Sequence, residues 1–241
     1  VKEEAGDSIP VVGGCNHTDT RTVIKLVNYA EEAGLDGVMI SPPYYWKPNE
    51  EIVLTHYKAI AKETQMGIMV YNNWFASQLD IPVETMVKLV NEVPNIVALK
   101  ENTLYIEKFA KMVEAVGDKI AVINGAGEPH EPYAALMGAQ GFVTGEACVI
   151  PQTCLAIYEA GVQKDYEKAK DILRKTKPLL DFFFSGPHGA SYIVRIKTAL
   201  NVLGLPGGIP RLPLLPADER LKAEAKRAVD SYELPERWNK K

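Results

Sequence analysis

The stretch GIMVYNNWFASQLDIPVETMVKLVNEVPNIVALKEN, residues 67–102, decides the fold class. It begins and ends with short apolar runs that turn polar, GIMVYNN (67–73) and IVALKEN (96–102), and such runs are typical of buried strands. A helical pattern follows Pro82, a residue well suited to an early helical position. A strand, a helix and a second strand indicate a βαβ unit, in which the two strands run parallel.

The same alternation extends on both sides of this stretch. Helical patterns lie at 18–34, which stops at Gly34, and at 49–64, where Asn49 is a candidate N-cap. Four further strand-like runs are IPVVGGC (9–15), GVMISPP (37–43), IAVINGA (120–126) and GFVTGEA (141–147). Two α/β architectures fit, a (β/α) barrel and an open doubly wound sheet, and both carry their active residues at the C-terminal strand ends. No GxGxxG motif opens a helix, so the usual signal for a dinucleotide is missing, and we expect no cofactor.

From about Pro151 the pattern becomes helical. We therefore divide the chain into barrel units at 1–150 and, at 151–241, the remaining barrel helices with a C-terminal helical extension. The predicted helical stretches are 151–180, with a turn near 163–165, 188–205 and 217–234, and PGGIPRLPLLP (206–216) is a rigid loop.

Composition narrows the class of function. The 241-residue chain has a formal net charge of −4 and no basic stripe, so nucleic acid and membrane surfaces are poor candidate partners. The histidines are widely scattered, without the close spacing of a zinc site, and we expect no metal. The cysteines are odd in number and form no CxxC pair, which favours a reduced, cytoplasmic compartment; they are Cys15, Cys148 and Cys154.

A cation ends one of the predicted buried strands. Strand alternation puts Ile96, Ala98 and Lys100 on one face, and in a barrel Lys100 would point inward at the catalytic rim. Burial there would lower the pKa of the amine, and a neutral amine can attack a carbonyl carbon to form a Schiff base. Tyr71 ends the preceding strand and could supply the proton transfers, while Tyr45 lies on a proline-stiffened loop at the same rim. A strand-end lysine is, however, more often ion-paired or solvent-facing, and a strand-end tyrosine is usually a core residue.

Five motifs, in order, carry a resemblance to a known family. They are SPPYYWKP, MVYNN, NIVALKEN, GAQGFVTGEACVIP and IKTALNVLGLPGGIPRLPLLP. Together they resemble the dihydrodipicolinate synthase/N-acetylneuraminate lyase family, whose members are class I, Schiff-base aldolases and dehydratases acting on pyruvate or longer 2-keto acids. The resemblance covers about 9–233. It implies a TIM (β/α)8-type barrel, a small-molecule 2-keto acid as substrate and a homotetramer built as a dimer of dimers.

The resemblance also assigns roles by position. Lys100 would form the imine, Tyr71 would shuttle protons, and Tyr45 matches a loop tyrosine that often reaches into the neighbouring subunit's site. The substrate-binding residues that it implies are Asn102, placed to contact a hydroxyl, Gly125 and Glu128, on a loop near the distal part of the substrate, and Val143 and Thr144, beside the keto acid.

Two departures from the family pattern matter. The synthase branch carries an arginine shortly after Tyr-Asn that grips a substrate carboxylate, whereas Ala76 falls near that position here. Only six strand-like runs are visible where the barrel needs eight, so the first two βα units, with their carboxylate-binding loop, are expected to be missing. We favour an incomplete sequence over a truncated chain.

The leading interpretation is a Schiff-base-forming lyase that uses Lys100 on pyruvate or a longer 2-keto acid. A close variant is dihydrodipicolinate synthase proper, which joins pyruvate to aspartate semialdehyde. A truncated, non-catalytic member of the family is the alternative from a different class of function.

Overall fold

The computed structural model describes residues 1–186 and 190–232 of the chain. Its sheet has five parallel strands in the order β1-β2-β3-β4-β5, so each strand pairs with its neighbour in sequence. The strands are β1 (Val12–Gly14), β2 (Gly37–Ile40), β3 (Ile68–Asn72), β4 (Ile96–Glu101) and β5 (Ala121–Asn124). Helices join all of these strands, which confirms the predicted α/β class with a parallel sheet.

Helices account for most of the remaining described residues. They are α1 (Lys2–Ala5), α2 (Thr20–Glu32), α3 (Glu50–Ala61), α4 (Trp74–Ser77), α5 (Val83–Glu92), α6 (Ile106–Val116), α7 (Glu131–Leu136), α8 (Pro151–Val162), α9 (Tyr166–Phe184), α10 (Ala190–Val202) and α11 (Glu219–Asp230), with a 3₁₀ turn at Glu146–Cys148. None of the helices within 1–186 and 190–232 is long and apolar enough to cross a membrane.

The chain forms two compact units. The first comprises Val1–Ala126 and Tyr133–Val143, and it contains the whole sheet; the second comprises Gly127–Pro132 and Thr144–Lys241, and it is helical in its described part. The division at residue 150 into barrel units and helical extension stays a prediction. Of the predicted C-terminal helices, residues 188–189 and 233–234 lie outside the described part of the chain.

The predicted strands and their helices are largely confirmed. Five of the six strand-like runs contain a strand, whereas the sixth, 141–147, contributes a single parallel bridge between Asn124 and Phe142. Asn49 caps α3 by accepting the Ile52 N–H at 2.9 Å. Gly34 follows α2 with φ of 72°, a left-handed conformation that favours glycine. Pro82 is the residue before α5.

Strand register sorts the side chains of the sheet into two faces. One row of partners, Ile40, Val70, Leu99 and Val122, belongs to the apolar core that the flanking helices cover. The next row along the strands, Tyr71, Lys100 and Ile123, points to the opposite face. The register therefore places the phenol of β3 beside the amine of β4.

The predicted alternation along β4 is partly wrong. Ile96 pairs with Ile68 and Ala98 pairs with Met69, so Val97 is an extra residue that bulges out of the pairing. Because of this bulge, Ile96 joins Leu99 in the core. Ala98 and Lys100 share the other face, as predicted.

Candidate active site

Lys100 lies near the C-terminal end of β4 and is almost fully buried, with 8% of its surface exposed. Its Nζ lies 4.0 Å from the centroid of the Tyr71 ring, over the ring face. The two residues are register partners on adjacent strands, so the sheet itself sets their separation. No ion pair joins Lys100 to any carboxylate in the described part of the chain. Among the described residues, Lys100 is therefore neither ion-paired nor solvent-facing.

Burial changes the acid–base behaviour of this amine. Desolvation disfavours the ammonium form and lowers the pKa of Lys100 to about 8. At pH 7 the uncharged, nucleophilic fraction is then roughly 300-fold larger than for a lysine in water. The amine thus meets the first requirement for attack on a carbonyl carbon.

Tyr71 provides a hydroxyl on the same face of the sheet. Burial raises the pKa of this phenol, and a hydrogen bond from Asn73 acts in the opposite direction. The Asn73 Nδ2 donates to the Tyr71 Oη at 2.8 Å. A phenol in this position can give a proton to a reacting group and take it back.

A buried polar network fixes the register of Tyr71 and Lys100 from the other face of the sheet. Asn72 follows Tyr71, Glu101 follows Lys100, and the Asn72 Nδ2 donates to the Glu101 Oε2 at 2.8 Å. The Thr103 N–H donates to the Glu101 Oε1 at 2.8 Å, and the Ile81 N–H donates to the Asn72 Oδ1 at 3.0 Å. Burial raises the pKa of Glu101, whose side chain is fully enclosed. Slippage between the strands would break these bonds, so the network holds the phenol and the amine together.

Gly125 and Asn102 lie against the lysine. A Cβ added at Gly125 would overlap the Asn102 Oδ1 and would lie 2.9 Å from the Lys100 Cγ, which is closer than carbon atoms pack. The Asn102 Oδ1 is buried and has no hydrogen-bond partner among the described residues. A buried oxygen without a donor is costly, and a hydroxyl of a bound molecule could supply that donor.

Tyr45 and Val143 are placed differently. Tyr45 is 80% exposed, its ring packs edge-on against Trp46, and no described contact joins it to Lys100 or Tyr71. The Val143 N–H donates to the Asn124 carbonyl at 2.9 Å, so Val143 lies beside the C-terminal end of β5, and its side chain is partly exposed.

The remaining predicted site residues, Glu128 and Thr144, belong to the second unit, where Glu146 joins them. The Thr144 Oγ1 lies 2.5 Å from the Glu128 Oε1 and 2.6 Å from the Glu146 Oε2. The Thr144 hydroxyl has one proton, which it donates to these two carboxyl groups in turn or shares between them. Burial, followed by the nearby Glu146, raises the pKa of Glu128 to about 7.

Two neighbours add hydrogen bonds to this carboxyl pair, although the Glu128 Oε2 and the Glu146 Oε1 are buried without a partner among the described residues. The Tyr192 hydroxyl donates to the Glu146 Oε2 at 2.9 Å, and burial together with the carboxylate raises the pKa of that phenol. The Cys154 Sγ donates to the Glu128 Oε1 at 3.0 Å. Both glutamates are fully buried.

Asn73, Glu101 and Glu146 were not predicted as site residues. The Tyr-Asn-Asn run offers Asn73 as a helix cap, but its bond to Tyr71 depends on the turn between β3 and α4, which no residue pattern encodes. Glu101 was visible as a charge at a strand end, whereas its partner Asn72 emerges only from the strand register. No group of three or more His, Cys, Asp and Glu side chains among the described residues is arranged to hold a metal ion.

Comparison with known proteins identifies close relatives. Residues 1–232 match the sequence profile of the dihydrodipicolinate synthetase family. The chain is 31% identical over 226 residues to the 4-hydroxy-tetrahydrodipicolinate synthase of Archaeoglobus fulgidus, covering 94% of the chain and 76% of that protein. It is 33% identical over 221 residues to the enzyme of the same name from Bacillus subtilis, covering 91% of the chain and 74% of that protein.

A solved structure agrees with the sequence comparison. The chloride-inhibited dihydrodipicolinate synthase from Acinetobacter baumannii, crystallised in complex with pyruvate, superimposes with a TM-score of 0.87 at 29% identity. The match covers 97% of this chain and 78% of that one. The chain thus spans about three quarters of the length of the relatives it matches.

Proposed function

The chain belongs to the dihydrodipicolinate synthetase family and is a lyase of the class I aldolase type, and from that premise we propose that it forms a Schiff base between Lys100 and pyruvate. The observation that carries this proposal is the buried, unpaired Lys100 amine 4.0 Å from the Tyr71 ring centroid. Its lowered pKa supplies the neutral nucleophile, and Tyr71 supplies a proton donor next to it.

Each predicted catalytic residue has a role in the proposed reaction. The Lys100 amine attacks C2 of pyruvate, and Tyr71 protonates the departing hydroxyl, so that water leaves and a protonated imine forms. The imine withdraws electrons from C3, which loses a proton to give a nucleophilic enamine. Tyr45 is proposed as a relay for these protons.

We propose that the enamine then joins an aldehyde, and the names of the relatives favour aspartate semialdehyde in the synthase reaction. Asn102, Gly125, Glu128, Val143 and Thr144 are proposed to bind the substrates. The buried, unsatisfied Asn102 Oδ1 supports a contact with a hydroxyl group.

One observation favours a different aldehyde. The synthase branch grips the carboxylate of its second substrate with an arginine, and Ala76 stands near that position. The neighbouring Trp74 and Phe75 are exposed aromatic side chains. A less charged aldehyde is therefore the second candidate.

An aldehyde panel separates these candidates. Pyruvate consumption is followed with aspartate semialdehyde and with uncharged aldehydes of similar length, and Lys100→Ala serves as the inactive control. Faster consumption with aspartate semialdehyde supports the synthase reaction, and preference for an uncharged aldehyde supports the second candidate. Consumption that is equal in the Lys100→Ala variant overturns the role of the lysine.

The likeness to the solved structure also supports the proposal that the five strands are consecutive strands of a (β/α)8-type barrel. A dimer of dimers and a cytoplasmic location are further proposals, based on the family and on cysteine usage.

A further inference from the structure

Asn73 is held by hydrogen bonds on both ends of its side chain. Its Nδ2 donates to the Tyr71 Oη at 2.8 Å, and its Oδ1 accepts the Ala76 N–H at 3.4 Å, as the N-cap of α4. Its backbone carbonyl accepts the Ser77 N–H at 2.9 Å and the Ser77 hydroxyl at 2.8 Å. With 5% of its surface exposed, Asn73 has little freedom to move.

These partners decide which way the amide faces. The backbone N–H of Ala76 can only donate; it is shared between the Asn73 backbone carbonyl at 3.2 Å and the Asn73 Oδ1 at 3.4 Å, so the oxygen end of the side-chain amide faces it. The amide NH₂ must then face Tyr71, and the phenol oxygen must accept. The hydroxyl proton of Tyr71 is consequently directed away from Asn73 and remains available to another acceptor.

We propose that Asn73 is a positioning residue for the imine-forming reaction: it keeps the Tyr71 hydroxyl as a donor toward substrate and stabilises the phenolate that forms when Tyr71 gives up its proton. This inference rests on the proposed function of Lys100 and Tyr71. It adds a residue whose contribution is made through another side chain and not through contact with substrate.

The proton transfers of the reaction explain why an N–H donor to the Tyr71 oxygen is useful. Loss of the carbinolamine hydroxyl breaks its C–O bond, takes the Tyr71 proton and releases water, while the lysine nitrogen lone pair forms the C=N bond. The products are an iminium and a phenolate. The phenolate then removes a proton from C3, which gives the neutral enamine and restores the phenol. An N–H donor stabilises the intervening anion more than the neutral phenol.

Two substitutions separate this role from helix capping. Asn73→Asp keeps an oxygen acceptor for the Ala76 N–H, and Asp is as good an N-cap as Asn. Its carboxylate cannot donate, so it would accept a hydrogen bond from the Tyr71 hydroxyl, which would turn that hydroxyl away from substrate. It would also repel the phenolate. Asn73→Ser also keeps a capping oxygen, but its side chain is too short to reach the Tyr71 hydroxyl.

Asn49 offers a matched control. It caps α3 through the Ile52 N–H in the same way, it is exposed, and it lies on a different connection of the sheet. Asn49→Asp therefore makes the same chemical change at a cap that contacts no proposed catalytic residue.

The experiment measures the rate at which pyruvate forms its imine. Full-length protein is mixed with pyruvate and quenched at timed intervals with borohydride, and the reduced adduct is quantified by intact mass. We expect Asn73→Ser to slow the maximal rate by roughly 10- to 100-fold, because the hydrogen bond from residue 73 to the Tyr71 phenolate is lost. Asn73→Asp should slow the rate further, because it replaces the donor with a carboxylate that repels the phenolate. In Asn73→Ser the pyruvate concentration for half-maximal rate, the rise of the rate through about pH 8 and the final adduct yield should stay unchanged, which a displaced Lys100 would not allow.

The outcomes are distinguishable. Wild-type rates in both Asn73 variants, with an adduct in the wild type, overturn the role of Asn73 and leave the proposed function standing. No adduct in the folded wild-type protein overturns both. If Asn73→Asp does not fold, the Asn73→Ser variant decides, and equal slowing in Asn49→Asp also contradicts the inference.

Discussion

The Nζ of Lys100 lies over the face of the Tyr71 ring, 4.0 Å from its centroid, while the Tyr71 hydroxyl is held at its tip by Asn73. The phenol therefore makes two polar contacts at once, one with the proposed nucleophile and one with a neutral donor. Both strands contribute their next residues, Asn72 and Glu101, to a buried bond on the opposite face. The sheet thus determines the geometry of the proposed chemistry, and each part of this arrangement can be changed separately.

The first prediction concerns pH. Because burial lowers the pKa of Lys100 to about 8, the rate of imine formation with pyruvate should rise about tenfold per pH unit below pH 8 and level off above it. Initial rates of borohydride-trapped adduct between pH 6 and 9 test this dependence. A rate that keeps rising toward the ordinary lysine pKa of 10.5 would show that burial does not tune the amine.

The second prediction concerns the phenol. Tyr71→Phe keeps the ring beneath Lys100 and removes the proton donor, so imine formation should slow by about 100-fold or more while the adduct still forms. Tyr29→Phe, an exposed tyrosine on α2, is the control and should match the wild type. Equal rates in the two variants would assign proton transfer to another group.

The third prediction concerns Gly125. A methyl group there would overlap the Asn102 amide and crowd the Lys100 side chain, so Gly125→Ala should lower the rate of adduct formation at least about tenfold by displacing the amine. Gly14→Ala is the matched control, because its added carbon would approach Asn16 Nδ2 at an ordinary 3.5 Å. Both variants are compared by thermal unfolding, and an unchanged rate in Gly125→Ala would contradict the packing described for Lys100.

The fourth prediction concerns the polar network behind the site. Asn72→Ala leaves the buried carboxyl group of Glu101 without its side-chain donor and should lower the free energy of unfolding by about 2 to 4 kcal/mol. Asn91→Ala, an exposed asparagine on α5 that accepts from Lys119, should cost less than about 0.5 kcal/mol. Urea titrations of the two variants give the difference, and similar midpoints would mean that the network does not hold the strands.

The fifth prediction concerns stability and pH in the second unit. The folded pKa of Glu128 is raised to about 7, so the folded state binds this proton more tightly than the unfolded chain does. That contribution to stability is fully present below about pH 4.5 and is lost as the pH rises through 7, by up to about 3 kcal/mol. Glu128→Gln should remove this component of the pH dependence.

Glu159→Gln, at an exposed position of α8, is the control and should keep the wild-type pH dependence of stability. Urea titrations of the wild type and both variants at pH 4.5, 6 and 8 provide the comparison. Identical pH dependence in the wild type and Glu128→Gln would contradict the raised pKa of Glu128.

Much of the fold could be predicted because the signals are local. Apolar runs that turn polar located β1 to β5, and Asn49, Gly34 and Pro82 marked helix ends. The bulge at Val97 could not be predicted, since it depends on how β4 pairs with β3. The run at 141–147 has the composition of a strand but contributes one bridge, through Phe142.

The candidate site could also be predicted only in part. Because Lys100 and Tyr71 end successive predicted strands, the sequence predicted that they lie close together. In the structure the strand register places them side by side. Asn73 was not predicted because its bond to Tyr71 depends on a tight turn. Glu146 was not predicted because its partners are set by the packing of segments. Neither feature produces a recognisable residue pattern in the sequence.

The most direct test of the account is to incubate the folded wild-type protein with pyruvate and borohydride and to map the modified residue by peptide mass spectrometry. We expect one reduced pyruvate adduct per chain, located on Lys100 and absent from the Lys100→Ala variant. An adduct spread over exposed lysines, or no adduct in folded protein, would contradict it.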